Sequence, residues 1–94
     1  MQGYPVMSPV TGKTQDVAVS GSSARNVTPI ASGVVQLVCS VDCRLRFTDA
    51  AGIAVASDAP LRANVYREYA TNGFAYIAAI TTGAAGTLSI TEMG

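Results

Sequence analysis

Apolar and polar side chains alternate along several short segments of this chain. In residues 43–47, apolar side chains occupy every second position and arginines lie between them. Residues 86–91 repeat the alternation near the other end. A period of two is typical of a strand that has one face in a core and the other in water. The clearest patterns in the chain therefore predict β-structure.

Turn residues separate these segments from further predicted strands, which cover residues 16–20, 34–40, 53–56 and 74–80. Residues 34–40 place Val35, Leu37 and Cys39 on one face, and their other face is also largely apolar, which predicts a nearly central strand. Turn signals every 8 to 12 residues are typical of a sandwich or barrel. With seven to eight short strands, the prediction is an all-β, antiparallel, jelly-roll-like β-sandwich.

The segment from residue 57 to residue 70 permits two interpretations. A stripe at a spacing of four favours a helix capped by Ser57, and its members are Leu61, Val65 and Tyr69. The alternative is an exposed connection, then a strand over residues 65–69 and a turn at Asn72 and Gly73. We favour the strand because the segment is short and its neighbours on both sides are β.

Residues 1–15 differ from the rest of the chain and predict an extended N-terminal arm, with the sandwich domain covering residues 16–94. Two prolines in this stretch favour extended backbone. Its apolar side chains are unusual for a solvated tail and are our candidates for partner contact: Tyr4, Val6, Met7 and Val10. The arm is expected to lie either on its own domain or on a neighbouring subunit, and a frayed terminus is the alternative.

Composition adds a prediction about assembly. Apolar residues make up 49% of the chain, charged residues only 13%, and the net charge is zero. A small domain with a neutral, sparsely charged surface suits a chain that neighbours cover, which predicts a homo-oligomer, although alanine and glycine also inflate the apolar count. Arg44 and Arg46 project from one strand face and are two further candidates for partner contact. Two arginines are too few to predict nucleic-acid binding.

The chemistry-bearing residues point away from catalysis. The chain has no histidine, so it lacks the usual base of a hydrolytic triad, and half of its acids fall in predicted turns. Cys39 and Cys43 are too few to form a metal site, and we predict buried thiols, with a disulfide across the intervening loop as the alternative. We therefore predict no enzyme, no metal and no cofactor. No apolar run is long enough to cross a membrane, and the start of the chain lacks a signal-peptide pattern, which predicts synthesis in the cytoplasm.

Three stretches of the chain, residues 35–47, 60–69 and 86–93, resemble small proteins encoded among the structural genes of tailed bacteriophages. The resemblance implies a virion component with a sandwich or jelly-roll fold and no catalytic residues. It implies a capsid decoration or cement protein, often a trimer, that binds the major capsid protein on the capsid surface after synthesis in the bacterial host. A neck, tail or fibre-attachment component is the alternative within this class. A carbohydrate-binding module is the alternative of another class, and it requires exposed, coplanar tyrosines among Tyr66, Tyr69 and Tyr76.

Overall fold

A computed structural model describes residues 8–94, and in this part of the chain every regular element is a β-strand. The eight strands are β1 (Pro9–Val19), β2 (Ala24–Arg25), β3 (Val34–Cys39), β4 (Cys43–Thr48), β5 (Ala59–Leu61), β6 (Arg67–Ala70), β7 (Tyr76–Ile80) and β8 (Gly86–Met93). They form two four-stranded antiparallel sheets, sheet A in the order β1-β8-β3-β6 and sheet B in the order β2-β7-β4-β5.

The strand order confirms the predicted jelly-roll-like sandwich. Strand β1 pairs with β8, β2 with β7, β3 with β6, and β4 with β5. These four pairs describe one long antiparallel ribbon that is wound around a common core. The β3·β8 contact joins the pairs β1·β8 and β3·β6 into sheet A, and the β4·β7 contact joins the pairs β2·β7 and β4·β5 into sheet B. This arrangement of eight strands in two sheets is a jelly roll.

The core lies between the sheets and follows the period of two. In β3, Val35, Leu37 and Cys39 are fully buried and face Leu88 and Ile90 on the adjacent strand β8. Strand β3 lies between β8 and β6, so its predicted central position is confirmed. Sheet B contributes buried side chains from the opposite layer, namely Cys43, Leu45, Leu61, Ile77 and Ala79.

Successive strands run in opposite directions, so the connecting loops alternate between the two ends of the sandwich. One end, here called the terminal end, carries the start of β1, the end of β8 and the loops 26–33, 49–58 and 71–75. There Ser8 and Gly94 exchange backbone hydrogen bonds of 3.2 and 2.9 Å. The opposite end carries the loops 20–23, 40–42, 62–66 and 81–85.

Strand β1 begins earlier than the sequence predicts. It starts at Pro9 rather than at residue 16, and the predicted boundary between arm and domain therefore lies within the strand. Residues 9–15 are extended, as expected for the arm, but they pair with β8 of their own domain, with a bulge between Pro9 and Thr14. Val10 is half-buried in this strand. The other candidates in the arm, Tyr4, Val6 and Met7, lie outside the described residues.

Two short strands were missed and one predicted strand was wrong. Strands β2 and β5 contain two and three residues, too few to show a period of two. Residues 53–56 are not a strand, because no neighbouring segment pairs with them. The segment 57–70 contains no helix, and the preferred strand is present as β6, at residues 67–70 rather than 65–69. The expected exposed connection before it contains the short strand β5, whose Leu61 is buried. Asn72 and Gly73 both have positive φ, of 52° and 85°, and form the predicted turn.

Candidate interaction surface

The loop 49–58 covers the outer face of sheet B. Its last residue, Asp58, receives two parallel hydrogen bonds from the exposed Arg46 guanidinium, one of 3.1 Å from Nε to Oδ2 and one of 3.0 Å from Nη2 to Oδ1. The same carboxylate accepts a 2.8 Å bond from the Val55 amide. The bonds from Arg46 and from the Val55 amide hold the pKa of Asp58 below its ordinary value. The aspartate therefore closes the loop and fixes it to strand β4.

Further contacts attach the loop to the far edge of sheet B. Arg25 Nη1 donates to the Gly52 carbonyl oxygen at 2.9 Å, and the Ala54 amide donates to Ser23 Oγ at 2.8 Å. Ala78 faces outward between Arg25 and Arg46 in the register of the sheet, yet it is fully buried. Both arginines bind the loop 49–58, in which Ala54 is also buried.

Arg44 and Arg46 both take part in this attachment. Arg44 Nη1 donates to the Asp58 carbonyl oxygen at 3.2 Å, and Arg46 forms the ion pair with the Asp58 carboxylate. Both arginines project from the outer face of β4, as the alternation predicts. Their guanidinium groups are engaged within the subunit, and this intramolecular role has no signature in the local sequence.

Val27 is the most exposed large apolar side chain of the described residues, at 90%. Its two neighbours in the chain are fixed. Asn26 is buried, donates to the carbonyl oxygens of Thr28 (2.8 Å) and Ala75 (3.1 Å), and accepts from the Ile77 amide (2.7 Å). The Gln15 side chain forms two bonds with the Thr28 backbone, of 2.8 and 3.2 Å. The protein therefore presents Val27 to solvent on an anchored segment of backbone.

Each of the three loops at the terminal end carries an exposed large apolar side chain, and the most exposed one of each loop is grouped under the name apolar patch: Val27, Ile53 and Phe74. Ile53 is 60% exposed and follows Gly52, which is bonded to Arg25 of β2. Phe74 is 46% exposed and precedes Ala75, which is bonded to Asn26. The loops that carry the patch contain only two charged residues, Asp49 and Asp58, and Asp58 is paired. The loops that carry the patch are therefore nearly uncharged, and two cations lie beside them on strands, Arg25 at Gly52 and Lys13 in a depression shared with Thr28.

Glu92 fixes the base of the loop that carries Val27. It faces the interior from β8, and its Oε1 accepts bonds from the Ala31 amide (3.2 Å), the Ser32 amide (3.0 Å) and Ser32 Oγ (2.9 Å). Burial by itself would raise the pKa of Glu92, but these three bonds and the charge of Lys13 outweigh it and lower the pKa. The terminal end is thus held by a buried carboxylate, and the sequence pattern gives no sign of it.

The opposite end has a different character. An ion pair joins Arg62 to Asp42 at 3.7 Å, and Asp42 also accepts a 2.7 Å bond from the Ala63 amide. An open depression of about 220 Å³ lies beside this pair and extends to Thr82. Tyr66, with 67% of its surface exposed, is the largest apolar group at this end. It provides a comparison site for the apolar patch.

The tyrosines of the carbohydrate-binding alternative occupy different environments. Tyr69 is half-buried against the core and packs on Phe47, with ring centroids 5.5 Å apart and planes inclined at 46°. Tyr66 lies at the opposite end, whereas Tyr76 begins β7 near the terminal end. The three rings do not form one exposed platform, which is the arrangement that sugar stacking requires.

Cys39 and Cys43 are both free thiols and both buried. Burial and the neighbouring Cys39 raise the pKa of Cys43 to about 12. A thiol with such a pKa is protonated at neutral pH and packs as a small apolar group. Within residues 8–94, no group of three or more cysteine, aspartate or glutamate side chains is arranged to hold a metal ion. The same residues include no helix that is long and apolar enough to span a bilayer.

Comparison with known proteins gives no relative on which to base a function. No family model, no curated protein and no solved structure matches this chain. The functional interpretation therefore depends on the geometry of the chain itself.

Sequence reasoning identified only some of the residues that make this surface. It selected Arg44 and Arg46 but not Asp58, which binds both of them. It missed the apolar patch, although the alternation of Ile53 and Val55 around Ala54 gives a weak signal of a segment with one face covered. Asn26 carries no recognisable motif, because its partners lie 49 and 51 residues further along the chain.

Proposed function

We propose that this protein is a non-enzymatic structural component of a tailed-bacteriophage virion, and specifically a decoration or cement protein on the capsid surface. In this role it bridges adjacent major capsid subunits and strengthens the shell by burying additional protein surface. Virion shells contain many copies of small β-sandwich chains, and a jelly roll is one fold that serves such a role. Because a fold does not by itself assign a function, the proposal needs support from the surface.

The observation that supports the proposal most is the anchored exposure of Val27. Five hydrogen bonds of Asn26 and Gln15 fix the backbone on both sides of a side chain that is 90% exposed. The core does not require an apolar side chain at this position. Exposed apolar groups that cluster on a polar scaffold are typical of protein–protein contact. The low charge of the whole chain agrees with a surface that other chains cover.

The test uses undecorated shells assembled from the major capsid protein of a tailed phage. Purified protein is added, the shells are sedimented, and bound copies are counted by quantitative mass spectrometry. We expect saturable binding at hundreds of copies per shell. Saturation at a few dozen copies or fewer would instead assign the protein to the neck, tail or fibre attachment. No binding to shells and no copies in purified virions would refute the structural role.

Two matched substitutions then assign the contact to one end of the molecule. Val27→Ser removes apolar surface at the terminal end, and Tyr66→Ser removes it at the opposite end. We expect Val27→Ser to weaken shell binding by about tenfold or more, because Val27 contacts a neighbouring chain of the assembly. Tyr66→Ser should leave binding unchanged. The reverse result would place the contact at the opposite end.

A further inference from the structure

We propose that the apolar patch of one subunit binds residues 1–7 of a second copy of this chain, so that the protein assembles with itself through its N-terminal segment. The partner is therefore another copy, and the contact is independent of any shell.

The patch and the first described residue lie at the same end of the sandwich. Ser8 pairs with Gly94 beyond the end of β8, and Val27, Ile53 and Phe74 lie in the three loops of that terminal end. Residues 1–7 reach at most about 25 Å from Ser8 when fully extended. This length is sufficient to cross to an adjoining subunit and cover a patch of three side chains.

The segment matches the patch chemically. Residues 1–7 include Tyr4, Pro5, Val6 and Met7 and contain no charged side chain. The loops of the patch contribute only Asp49 as an unpaired charge in the part of the chain that is described, and its carboxylate accepts the Ala51 amide at 2.9 Å. A segment without charged side chains can bind such a surface without burying a side-chain charge.

The direction of the chain favours a second copy over the same copy. Strand β1 leaves the sandwich at the terminal end, so a continuing extended chain moves away from its own loops. Tyr4 and Ser8 each precede a proline, and the residue before a proline favours extended backbone. Binding to the patch of the same subunit would require the chain to reverse within a few residues. Contacts of this head-to-tail kind close into a ring, or two copies exchange their segments.

The first experiment measures the mass of the full chain by sedimentation equilibrium over a wide concentration range. We expect an oligomer that becomes a monomer when residues 2–7 are deleted. Val27→Ser combined with Phe74→Ser should weaken association by about tenfold or more. The control, Tyr66→Ser, should associate as the unmodified chain does. A monomer at all concentrations, or an oligomer that neither change affects, would overturn the proposal.

The second experiment identifies the contact by crosslinking. Chains carrying Tyr4→Cys are mixed with chains carrying Val27→Cys and oxidised with diamide, which takes up the two hydrogens released as the two thiols form one disulfide. We expect a disulfide between the two kinds of chain, and none when Tyr66→Cys replaces Val27→Cys. The double variant Tyr4→Cys/Val27→Cys, diluted before oxidation, tests whether the segment binds the patch of its own subunit. A disulfide that forms only within one chain would show that the segment binds its own subunit and would overturn the proposal.

This inference and the proposed function fail in different ways. A self-associating protein that never binds shells refutes the virion role and leaves the arm-to-patch contact intact. A protein that decorates shells as a monomer refutes the contact and leaves the virion role intact.

Discussion

Sheet A and sheet B of this sandwich are each stabilised by different interactions. Sheet A contains the two longest strands, of 11 and 8 residues, and β8 has a long backbone ladder on both sides, interrupted only by the bulge between Pro9 and Thr14. Sheet B contains strands of two and three residues at its edges. Its side chains complete what its backbone does not: Asn26 extends the pairing with β7, and arginines attach the loop 49–58 to its outer face.

Polar side chains should therefore contribute more to the stability of sheet B than to that of sheet A. In sheet A, side-chain bonds such as that between Thr14 and Thr91 cross strands that are already paired through the backbone. In sheet B, removal of a side chain leaves backbone groups without partners. Because an unsatisfied buried group costs more than a bond contributes on average, substitutions in sheet B should have the larger effects.

The largest effect is expected for Asn26→Leu. The variant leaves the Ile77 amide without its 2.7 Å partner and removes the donor from two carbonyl oxygens in a buried site. We expect a loss of about 3 kcal/mol in the free energy of unfolding, measured by urea denaturation. Asn26→Asp serves as the control, because it retains the acceptor for Ile77 and loses the donor. A loss below about 1 kcal/mol for Asn26→Leu would contradict the comparison.

The second largest loss in the free energy of unfolding is expected for Glu92→Gln. Glu92 belongs to sheet A, so it is an exception to the difference between the sheets. Its carboxylate accepts three bonds from loop 26–33, and bonds to a charged group contribute more than neutral ones. We expect a loss of about 2 kcal/mol at neutral pH. An unchanged free energy of unfolding at neutral pH would contradict this expectation, because it would show that the glutamine amide replaces the carboxylate and that the charge does not stabilise the fold.

The same residue predicts a dependence on pH. The folded protein lowers the pKa of Glu92, so its contribution is complete above the unfolded pKa of about 4.3. That contribution is lost as the pH falls through the folded value. Below the folded pKa, the free energy of unfolding of the unmodified chain should therefore approach that of Glu92→Gln. Between pH 6 and 8, which begins about two pH units above the unfolded pKa, the difference between the two free energies should stay constant.

Arg46→Ala should act locally. The Arg46–Asp58 pair is partly exposed, so its loss should change global unfolding little. The loop 49–58 loses one attachment, and hydrogen exchange of the Val55 amide should become faster. Because the folded protein lowers the pKa of Asp58, protection of Val55 in the unmodified chain should persist above the ordinary aspartate range and decline below it. Arg46→Lys keeps the charge without the two-point geometry and should show intermediate exchange.

The smallest effect is expected for Thr14→Val in sheet A. The change removes the exposed 3.1 Å bond between the hydroxyls of Thr14 and Thr91 and leaves the backbone pairing intact. We expect a change in the free energy of unfolding of about 0.5 kcal/mol or less, measured as for Asn26→Leu. A loss as large as that of Asn26→Leu would show that the two sheets do not differ in the way described.

Sequence patterns predicted the central strands well and the edges poorly. In β3, β4 and β8 the side chains on one face contact the core, so the alternation that burial imposes is visible. Strand β7 is instead a continuous apolar run with three successive buried residues. Strand β5 contains Pro60 and is defined only by its pairing with Cys43–Leu45. Residues 53–56 alternate without being a strand, since the loop lies on the sheet through side-chain bonds.

Local preferences and composition were enough to establish the class of fold, the central strands, the Asn72–Gly73 turn and the lack of histidine. The three-dimensional fold was needed for the extent of β1, the attachment of Arg44 and Arg46 to Asp58, and the placement of Val27, Ile53 and Phe74 in loops at one end. These features join residues that are far apart in the chain. Only the pairing of distant strands brings such residues within bonding distance, and the local pattern of a segment contains no record of its distant partners.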